Sequence, residues 1–193
     1  NSLSNNYFVS SQLIDTSQFG VPQKRRRLFI IAVRKDCVSK FLRSPFDSIE
    51  AGRQTFLKSK GIPVIPVGSR AAISDLEISR NGTLPCRDFS GFKEIAYRGP
   101  QTSYQKLMNA GAGTEIFDTR LARHDPTIVV RFKRIIDLCR ADGRLNVSLS
   151  PELRASFGLR KRAIRVLDPD NPSPTITSMP DDLLHYSEPR ALT

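Results

Sequence analysis

Apolar and polar residues alternate from Tyr7 to Ile14, with β-branched residues among them, and this period-two pattern predicts a strand. Leu28 to Val33 is instead a continuous apolar run, which predicts a short buried strand. Between the two, Thr16-Ser17-Gln18-Phe19-Gly20-Val21-Pro22 is rich in turn formers, so the strands should be joined by a structured loop. Ser69 to Ile78 predicts a short helix, with Ser69 as N-cap and Ala72, Ile73 and Leu76 at helical spacing. The best helical pattern starts at Asp125-Pro126, where Asp can cap and Pro suits the first turn, and runs through Cys139 to a stop at Gly143. Ile128, Phe132, Ile135, Ile136 and Cys139 share one face of it. Arg131, Lys133, Arg134 and Arg140 fall mostly off that stripe, leaving a basic side for solvent or phosphate. Pro45 to Pro66 and Asn81 to Pro100 carry scattered Gly and Pro without a clear period, so both are expected to be irregular or short-stranded. The chain has no internal repeat and no low-complexity tract.

Length and composition bound the class. At 193 residues the chain has room for one ordinary domain or two small ones, and 39% hydrophobic against 25% charged residues is the balance of a folded chain. Thirty Lys and Arg against nineteen Asp and Glu give a net charge of +11 and a pI near 10.1. That excess points to a polyanionic partner, nucleic acid first and an anionic membrane surface second. Leu28 to Val33 is the longest apolar run and falls far short of the roughly 20 residues that span a bilayer. The opening residues, Asn1 to Asn6, have neither a basic start nor an apolar middle, so no secretory signal is read there. The absent Met suggests a chain cut from something longer. Cys37, Cys86 and Cys139 are odd in number and widely spaced, with only His124 and His185 as imidazole partners. The expectation is a reducing compartment, no zinc or other metal site and no disulfide framework.

The most informative segment is Phe19-Gly20-Val21-Pro22-Gln23-Lys24-Arg25-Arg26-Arg27-Leu28-Phe29-Ile30. A basic cluster before an apolar strand can serve as a gatekeeper that keeps the strand soluble. It can also build a site. Alternation at a strand entry sends Arg25 and Arg27 to one side and Lys24 and Arg26 to the other. Two guanidiniums could then converge while Gln23 supplies an amide, a set suited to phosphate or a pyrimidine carbonyl because Arg forks match oxygens bidentately and keep their charge.

These residues resemble motif VIII of the DNA (cytosine-5)-methyltransferases, a Gln-x-Arg-x-Arg after a Phe-Gly-Val-Pro-like turn and before an apolar strand, matched at Gln23, Arg25 and Arg27. A second stretch, Leu167-Asp168-Pro169-Asp170-Asn171-Pro172-Ser173-Pro174-Thr175-Ile176-Thr177, is similar to the family's motif IX, and Arg190-Ala191-Leu192-Thr193 resembles the start of motif X. The motifs stand in family order. Ser69 to Leu76 is similar to the short helix that commonly follows motif VIII, and Arg123-His124 resembles a stretch of many bacterial members.

The resemblance implies an α/β fold, mixed α+β in this chain: a strand pair from the edge of a Rossmann-like methyltransferase domain, plus a small target recognition domain. Residues 1–35 would end the catalytic domain, 36–166 would form the recognition domain, and 167–193 would return to the catalytic domain. In the family, S-adenosylmethionine gives its methyl group to C5 of a cytosine swung out of duplex DNA. Thiolate attack at C6, a covalent route, makes C5 nucleophilic. By the same resemblance Gln23, Arg25 and Arg27 contact the flipped cytosine and its flanking phosphates. Arg27 is the first choice for the base carbonyl, and Arg25 stands for the active-site loop or the backbone. Pro174, Thr175 and Thr177 support the architecture. Lys24, Arg26, Arg87, Lys93 and Arg98 are candidates for DNA contact, with Gln101, Gln105 and Asn109 further candidates for base readout. Tyr97 to Pro100 and Asn109 to Gly113 are expected to be exposed loops, where recognition usually sits.

The sequence has no Phe-x-Gly-x-Gly cofactor loop, no Glu-Asn-Val and no Pro-Cys-Gln, all of which precede motif VIII in the family. Cys86 follows a Pro, but Arg87 replaces Gln and the pair lies downstream of motif VIII. Cys37, Cys86 and Cys139 are therefore read as small packed side chains rather than nucleophiles. The expected parent is a cytoplasmic, prokaryotic, nucleoid-associated methylase, with most cofactor contacts and the nucleophile in a missing N-terminal catalytic domain. No membrane partner is expected. The alternative is a DNA-binding subunit of a split or degenerate methyltransferase. An unrelated RNA-binding protein is the third option, and the chain lacks the aromatic sheet motif and Gly-x-x-Gly loop of such proteins.

Overall fold

The computed structural model describes residues 6–40, 44–113, 116–161, 163–176 and 182–192. Mixed α and β elements build it, with three separate two-stranded sheets. Strands β1 (Tyr7–Asp15) and β2 (Arg26–Arg34) form an antiparallel hairpin, from Tyr7 opposite Arg34 to Asp15 opposite Arg26. Their loop is a short 3-10 turn, Thr16–Phe19, capped by the Asp15 carboxylate, which accepts from the Ser17 amide and hydroxyl. Both strands lie where their patterns predict them. The expectation of burial for β2 fails: Leu28 is 63% exposed and Ile30 63%, and Phe8, Val9, Leu13 and Phe29 are also exposed. The reason is topological, because this hairpin is a two-stranded sheet, and most of its apolar side chains lie away from the cleft that Leu13 and Ile14 share with Phe46 and Ile49.

Pro45 to Pro66 is not irregular. Helix α1 (Pro45–Ser59) fills most of it, with Ser44 as N-cap and Pro45 in the first turn. Its buried residues Phe46 and Leu57 are too few and too far apart to register as a period in the sequence. After the loop through Ile62 and Val67 come α2 (Ser69–Ile73), a 3-10 turn (Ser74–Leu76) and α3 (Ile78–Asn81). The predicted Ser69 cap is also corrected. Gly68 occupies the N-cap position, and the Ser69 hydroxyl donates instead to the Asn171 carbonyl at 3.0 Å. Strands β3 (Thr83–Pro85) and β4 (Lys93–Ile95) make a short antiparallel hairpin, in keeping with the short-stranded reading. Helix α4 (Ser103–Met108) opens on a capping box in which Thr102 and Gln105 satisfy each other's backbone amides.

Helix α5 (Pro126–Ala141) matches its prediction, with Asp125 capping through the Thr127 amide. Phe132, Ile135, Ile136 and Cys139 are buried on its inner face, with Ile128 partly buried against them. Helix α6 (Pro151–Ser156) and the parallel pair β5 (Arg165–Val166) and β6 (Leu183–Leu184) complete that core through Leu149, Ile164, Val166, Leu184 and Ala191. Arg140 departs from the free basic face: its Nη2 donates to the Tyr186 carbonyl at 2.9 Å, tying α5 to the C-terminal segment. Cys86 is half-buried and Cys139 buried, but Cys37 is exposed; all three are free thiols.

Candidate nucleic-acid interface

The two motif segments, some 150 residues apart in the chain, lie side by side. Gln23 and Ser173 form a parallel bridge, the Lys24 amide donates to the Ser173 carbonyl at 2.8 Å, and the Ser173 amide donates to the Pro22 carbonyl at 3.0 Å. The Thr175 hydroxyl adds a bond to the Lys24 carbonyl at 3.0 Å. From the other side, the Thr16 amide donates to the Arg25 carbonyl at 3.0 Å and its hydroxyl to the Gln23 carbonyl at 3.3 Å. The main chain from Pro22 to Arg25 is thereby held on both sides, and its side chains are left to project. Lys24, Arg26 and Arg27 are exposed and Arg25 is half-buried. Regular strand alternation begins only at Arg26, and Arg27 Nη1 turns back to the Arg26 carbonyl at 2.7 Å.

Glycines explain how the turn fits. Gly20 has φ 86°, and a Cβ there would meet the Leu57 and Ile62 side chains at 3.2 Å, so the Phe-Gly-Val-Pro turn seats on the core beside α1. Gly68 lies so close to motif IX that a Cβ would come within 2.8 Å of the Pro169 and Asp170 backbone. There the amides of Ser69 and Arg70 donate to the Asn171 and Pro169 carbonyls. Pro174 lines a cleft of about 470 Å³ with Asp15, Lys24, Asn146 and Asn171. Thr177 lies outside the described residues.

The recognition candidates separate into three groups. Arg87 and Lys93 are brought together at the β3–β4 hairpin, where Arg87 Nε meets Glu94 at 3.1 Å and the Lys93 carbonyl accepts from the Leu121 amide. Arg98 is exposed on the loop after β4, its amide held by Asn81 Oδ1 at 3.0 Å, and the Tyr97 to Pro100 stretch is partly buried rather than free. Gln105 is excluded as a base reader: it is 1% exposed, and its side chain is consumed by the Gln101 and Thr102 amides and the Ser74 hydroxyl. Asn109 Nδ2 is bonded to the Gln105 carbonyl, whereas Gln101 is exposed.

A cleft of about 840 Å³ lies beside that hairpin and is walled by Phe89, Phe92 and Phe117 together with Arg87, Arg120 and Arg123. The Arg120 guanidinium carbon sits 4.3 Å from the Phe89 ring centre and 5.3 Å from that of Phe92. Sequence reading misses Phe89, Phe92, Phe117 and Arg120, because they come from two loops with no common period. The pair of Phe residues around Gly91 is the only local signal.

Behind the cleft and the seam runs a buried polar network. Glu188 accepts from the Ser79 amide at 2.9 Å and from Arg190 Nε at 2.8 Å, and Arg190 Nη2 reaches the Leu76 carbonyl. Burial alone would raise the Glu188 carboxyl, but those donors outweigh it and hold its pKa below the usual carboxylate range. The Tyr186 hydroxyl donates to Glu77, and the Tyr97 hydroxyl to Asp75 at 2.8 Å; burial, then the carboxylate partner, pushes Tyr97 up to about 12. His185 is fully buried, its Nδ1 accepting the Ser187 and Glu188 amides, while Nε2 has no partner among the described residues. Burial, reinforced by Arg190, takes its pKa down to about 4, so the ring is neutral near neutrality. These contacts lock the C-terminal segment against α2, α3 and their joining turn. Among the described residues, no group of His, Cys, Asp and Glu is placed to hold a metal ion, and no helix is long and apolar enough to cross a membrane.

Comparison with known proteins agrees with this arrangement. Residues 2–79 match the family model of the C-5 cytosine-specific DNA methylases. A solved crystal structure from E. coli, assigned as a DNA modification methyltransferase encoded within a prophage, is similar with a TM-score of 0.54 at 18% identity. The likeness covers 98% of this chain and 48% of that one, so the chain spans about half the length of its solved neighbour. At that identity the likeness speaks for the fold. No curated protein matches the chain. The segment that matches the C-5 cytosine-specific DNA methylase model carries the Gln-x-Arg-x-Arg turn, and the fold is similar to that of a methyltransferase along nearly the whole chain.

Proposed function

We propose that this chain is the C-terminal part of a DNA (cytosine-5)-methyltransferase. It would supply DNA recognition and the motif VIII contacts for methyl transfer from S-adenosylmethionine to C5 of a cytosine in duplex DNA. The observation that carries the reading is the seam between Pro22–Lys24 and Ser173–Thr175, because it joins the two motif segments through main-chain bonds and leaves the basic side chains to face outward. On this reading residues 36–166 form the recognition domain, held between the motif-bearing segments 1–35 and 167–193.

Gln23, Arg25 and Arg27 would meet the flipped cytosine and the phosphates beside it. An arginine fork can hold a base carbonyl through two N–H donors and remains charged in a site closed to water. Lys24, Arg26, Arg87, Lys93 and Arg98 would add phosphate or groove contacts, in line with the +11 charge. Pro174, Thr175 and Thr177 would serve architecture.

S-adenosylmethionine would supply the methyl group, but the residues present here do not build its site. Two of the clefts among the described residues are walled by Phe and Arg or by Pro, Asn and Asp side chains, and neither has a glycine-rich loop leading into a helix. On this reading cofactor binding and the cysteine nucleophile would belong to an N-terminal catalytic domain. The exposed apolar side chains of β1 and β2 are the surface on which that domain would pack, since apolar area of this kind marks an interaction site.

The test uses the full-length enzyme on duplex DNA. Arg27→Ala should reduce methylation by two or more powers of ten while DNA affinity changes by less than about ten-fold, as removal of a group aimed at the reacting base requires. Equal loss of binding and methylation would move Arg27 to a phosphate or structural role. DNA affinity should also fall steeply with salt, and salt-insensitive binding would count against the recognition role.

A further inference from the structure

Between the 3-10 turn, with its cap Gly20, and the first residue of β2 runs an arm, Val21 to Arg25, that carries Gln23 and Arg25. An arm outside the regular strand takes its course from whatever grips its peptide groups, since ordering each residue costs conformational entropy. Thr16 grips it with its amide, its hydroxyl and its carbonyl. The amide donates to the Arg25 carbonyl at 3.0 Å, one step beyond the last ladder pair, Asp15 opposite Arg26. The hydroxyl reaches the Gln23 carbonyl at 3.3 Å. The carbonyl, which a regular antiparallel ladder would turn toward Arg25, accepts instead from the Gly20 amide and, at 3.4 Å, from the Val21 amide.

Thr16 is itself anchored. The Asp15 carboxylate holds the next residue, Ser17, by both its amide and its hydroxyl, and Arg53 of α1 donates to the Gln18 carbonyl at 3.3 Å. Gly20 seats on Leu57 and Ile62, which form a buried cluster with Val67. The arm therefore hangs from a turn fixed to the core. Bond directions alternate along it: the Gln23 and Arg25 carbonyls face Thr16, whereas the amide and carbonyl of Lys24 face Ser173 and Thr175. That alternation belongs to extended backbone, which sends the Gln23 and Arg25 side chains out by one face and Lys24 by the other. Burial follows it, with Gln23 and Arg25 half-buried and Lys24 exposed.

We infer that Thr16 is a positioning residue for methyl transfer: by holding the Gln23 and Arg25 carbonyls it sets the direction in which the Arg25 side chain leaves the main chain. The inference rests on the DNA methyltransferase reading, in which Gln23 and Arg25 meet the flipped cytosine and its phosphates, and it adds a residue that acts only through them. Valine in place of Thr16 has nearly the same shape and keeps the main-chain amide and carbonyl, but it lacks the hydroxyl. The Gln23 carbonyl would lose that donor, and the peptide between Gln23 and Lys24 would gain freedom to turn. A misplacement of about 1 Å costs about a hundred-fold in rate, and loosening one hold among several predicts a loss of about ten-fold.

The experiment measures single-turnover methylation rate, affinity for duplex DNA and thermal unfolding of the full-length enzyme. Thr16→Val should lower the rate about ten-fold while DNA affinity stays within about two-fold and the unfolding temperature is unchanged. Thr16→Ser, which keeps the hydroxyl, should retain most of the wild-type rate. The decisive readout is a double-mutant cycle. In an Arg25→Ala background, Thr16→Val should cost less than about two-fold more, because a residue that acts through Arg25 then has nothing left to position. If Thr16→Val does not fold, the same cycle is run with Thr16→Ala, which cannot overpack the turn. A full repeat of the Thr16→Val loss in the Arg25→Ala background, or an equal loss in Thr16→Ser, makes Thr16 a structural residue and overturns the inference. A Thr16→Val enzyme as fast as the wild type, beside a slow Arg25→Ala enzyme, overturns it and leaves the methyltransferase reading intact. An undiminished rate in Arg25→Ala removes both the inference and the motif VIII role given to Arg25, and a wild type that methylates no duplex sinks the methyltransferase reading itself.

Discussion

The β1–β2 hairpin and helix α5 are built from similar apolar material, and the chain treats them in opposite ways. In α5 the side chains of Phe132, Ile135, Ile136 and Cys139 are buried against Leu149, Ile164, Val166 and Leu184, elements gathered from the whole C-terminal third. In the hairpin, Leu28, Phe29, Ile30, Phe8, Val9 and Leu13 all stay in contact with solvent. The difference lies in whether the chain supplies a second layer, because a two-stranded ribbon has no depth in which to bury its own side chains. The helix is a finished structural unit, whereas the hairpin leaves most of its apolar side chains uncovered.

Substitutions can break or sharpen this contrast. Ile135→Ala in α5 should cost the most, about 2–5 kcal/mol, since a fully buried side chain leaves a cavity; denaturant unfolding of the chain measures it. A loss near zero would mean that the α5 core is not packed as described.

The polar network that braces this core should respond to acid. His185 is neutral when folded and has a pKa of about 4 against an ordinary 6.5. Its contribution is complete above pH ~6.5 and is lost as pH falls from there toward ~4, because only the unfolded chain takes up the proton in that interval. The loss should approach about 3 kcal/mol. Glu188, held below its ordinary range, adds loss in the same direction at lower pH. His185→Asn, whose amide oxygen can replace Nδ1 as acceptor, should flatten the pH dependence of unfolding between pH 6.5 and 4. An unaltered slope would place the titration elsewhere.

Gly68→Ala comes next, at about 1–3 kcal/mol, since its Cβ would strike the Pro169 and Asp170 backbone at 2.8 Å and push motif IX away. Thermal unfolding, with hydrogen exchange at Ser69 and Arg70, would register it. The smallest effect belongs to the hairpin. Ile30→Ala should change stability by no more than about 0.5 kcal/mol in denaturant unfolding. A cost for Ile30→Ala equal to that of Ile135→Ala would show the hairpin to be buried after all.

Legibility in the sequence followed the range of the interactions. Helix α5 could be read because its cap, its first-turn proline and its apolar stripe are all local signals. Helix α1 could not, since its stability rests on seating Phe46 and Leu57 against distant segments while most of its surface is polar. The N-cap at Ser69 was displaced by one residue because Gly68, without a Cβ, can approach motif IX. Gln105 has the chemistry of a candidate base contact, but the capping box consumes it. The motif residues themselves were legible as letters. Their neighbours in space were not.

The order of residues alone determined the strand pair with its basic entry, the long amphipathic helix, the excess of positive charge and the two motifs. Each depends on spacing of a few residues or on composition. Only the tertiary structure decided that Gln23 lies beside Ser173, that the hairpin's apolar side chains are bare, and that Arg120 and Arg123 share a cleft with Phe89 and Phe92. Those facts depend on contacts between segments far apart in the chain, whose closure is set by the balance of the whole fold rather than by any local preference.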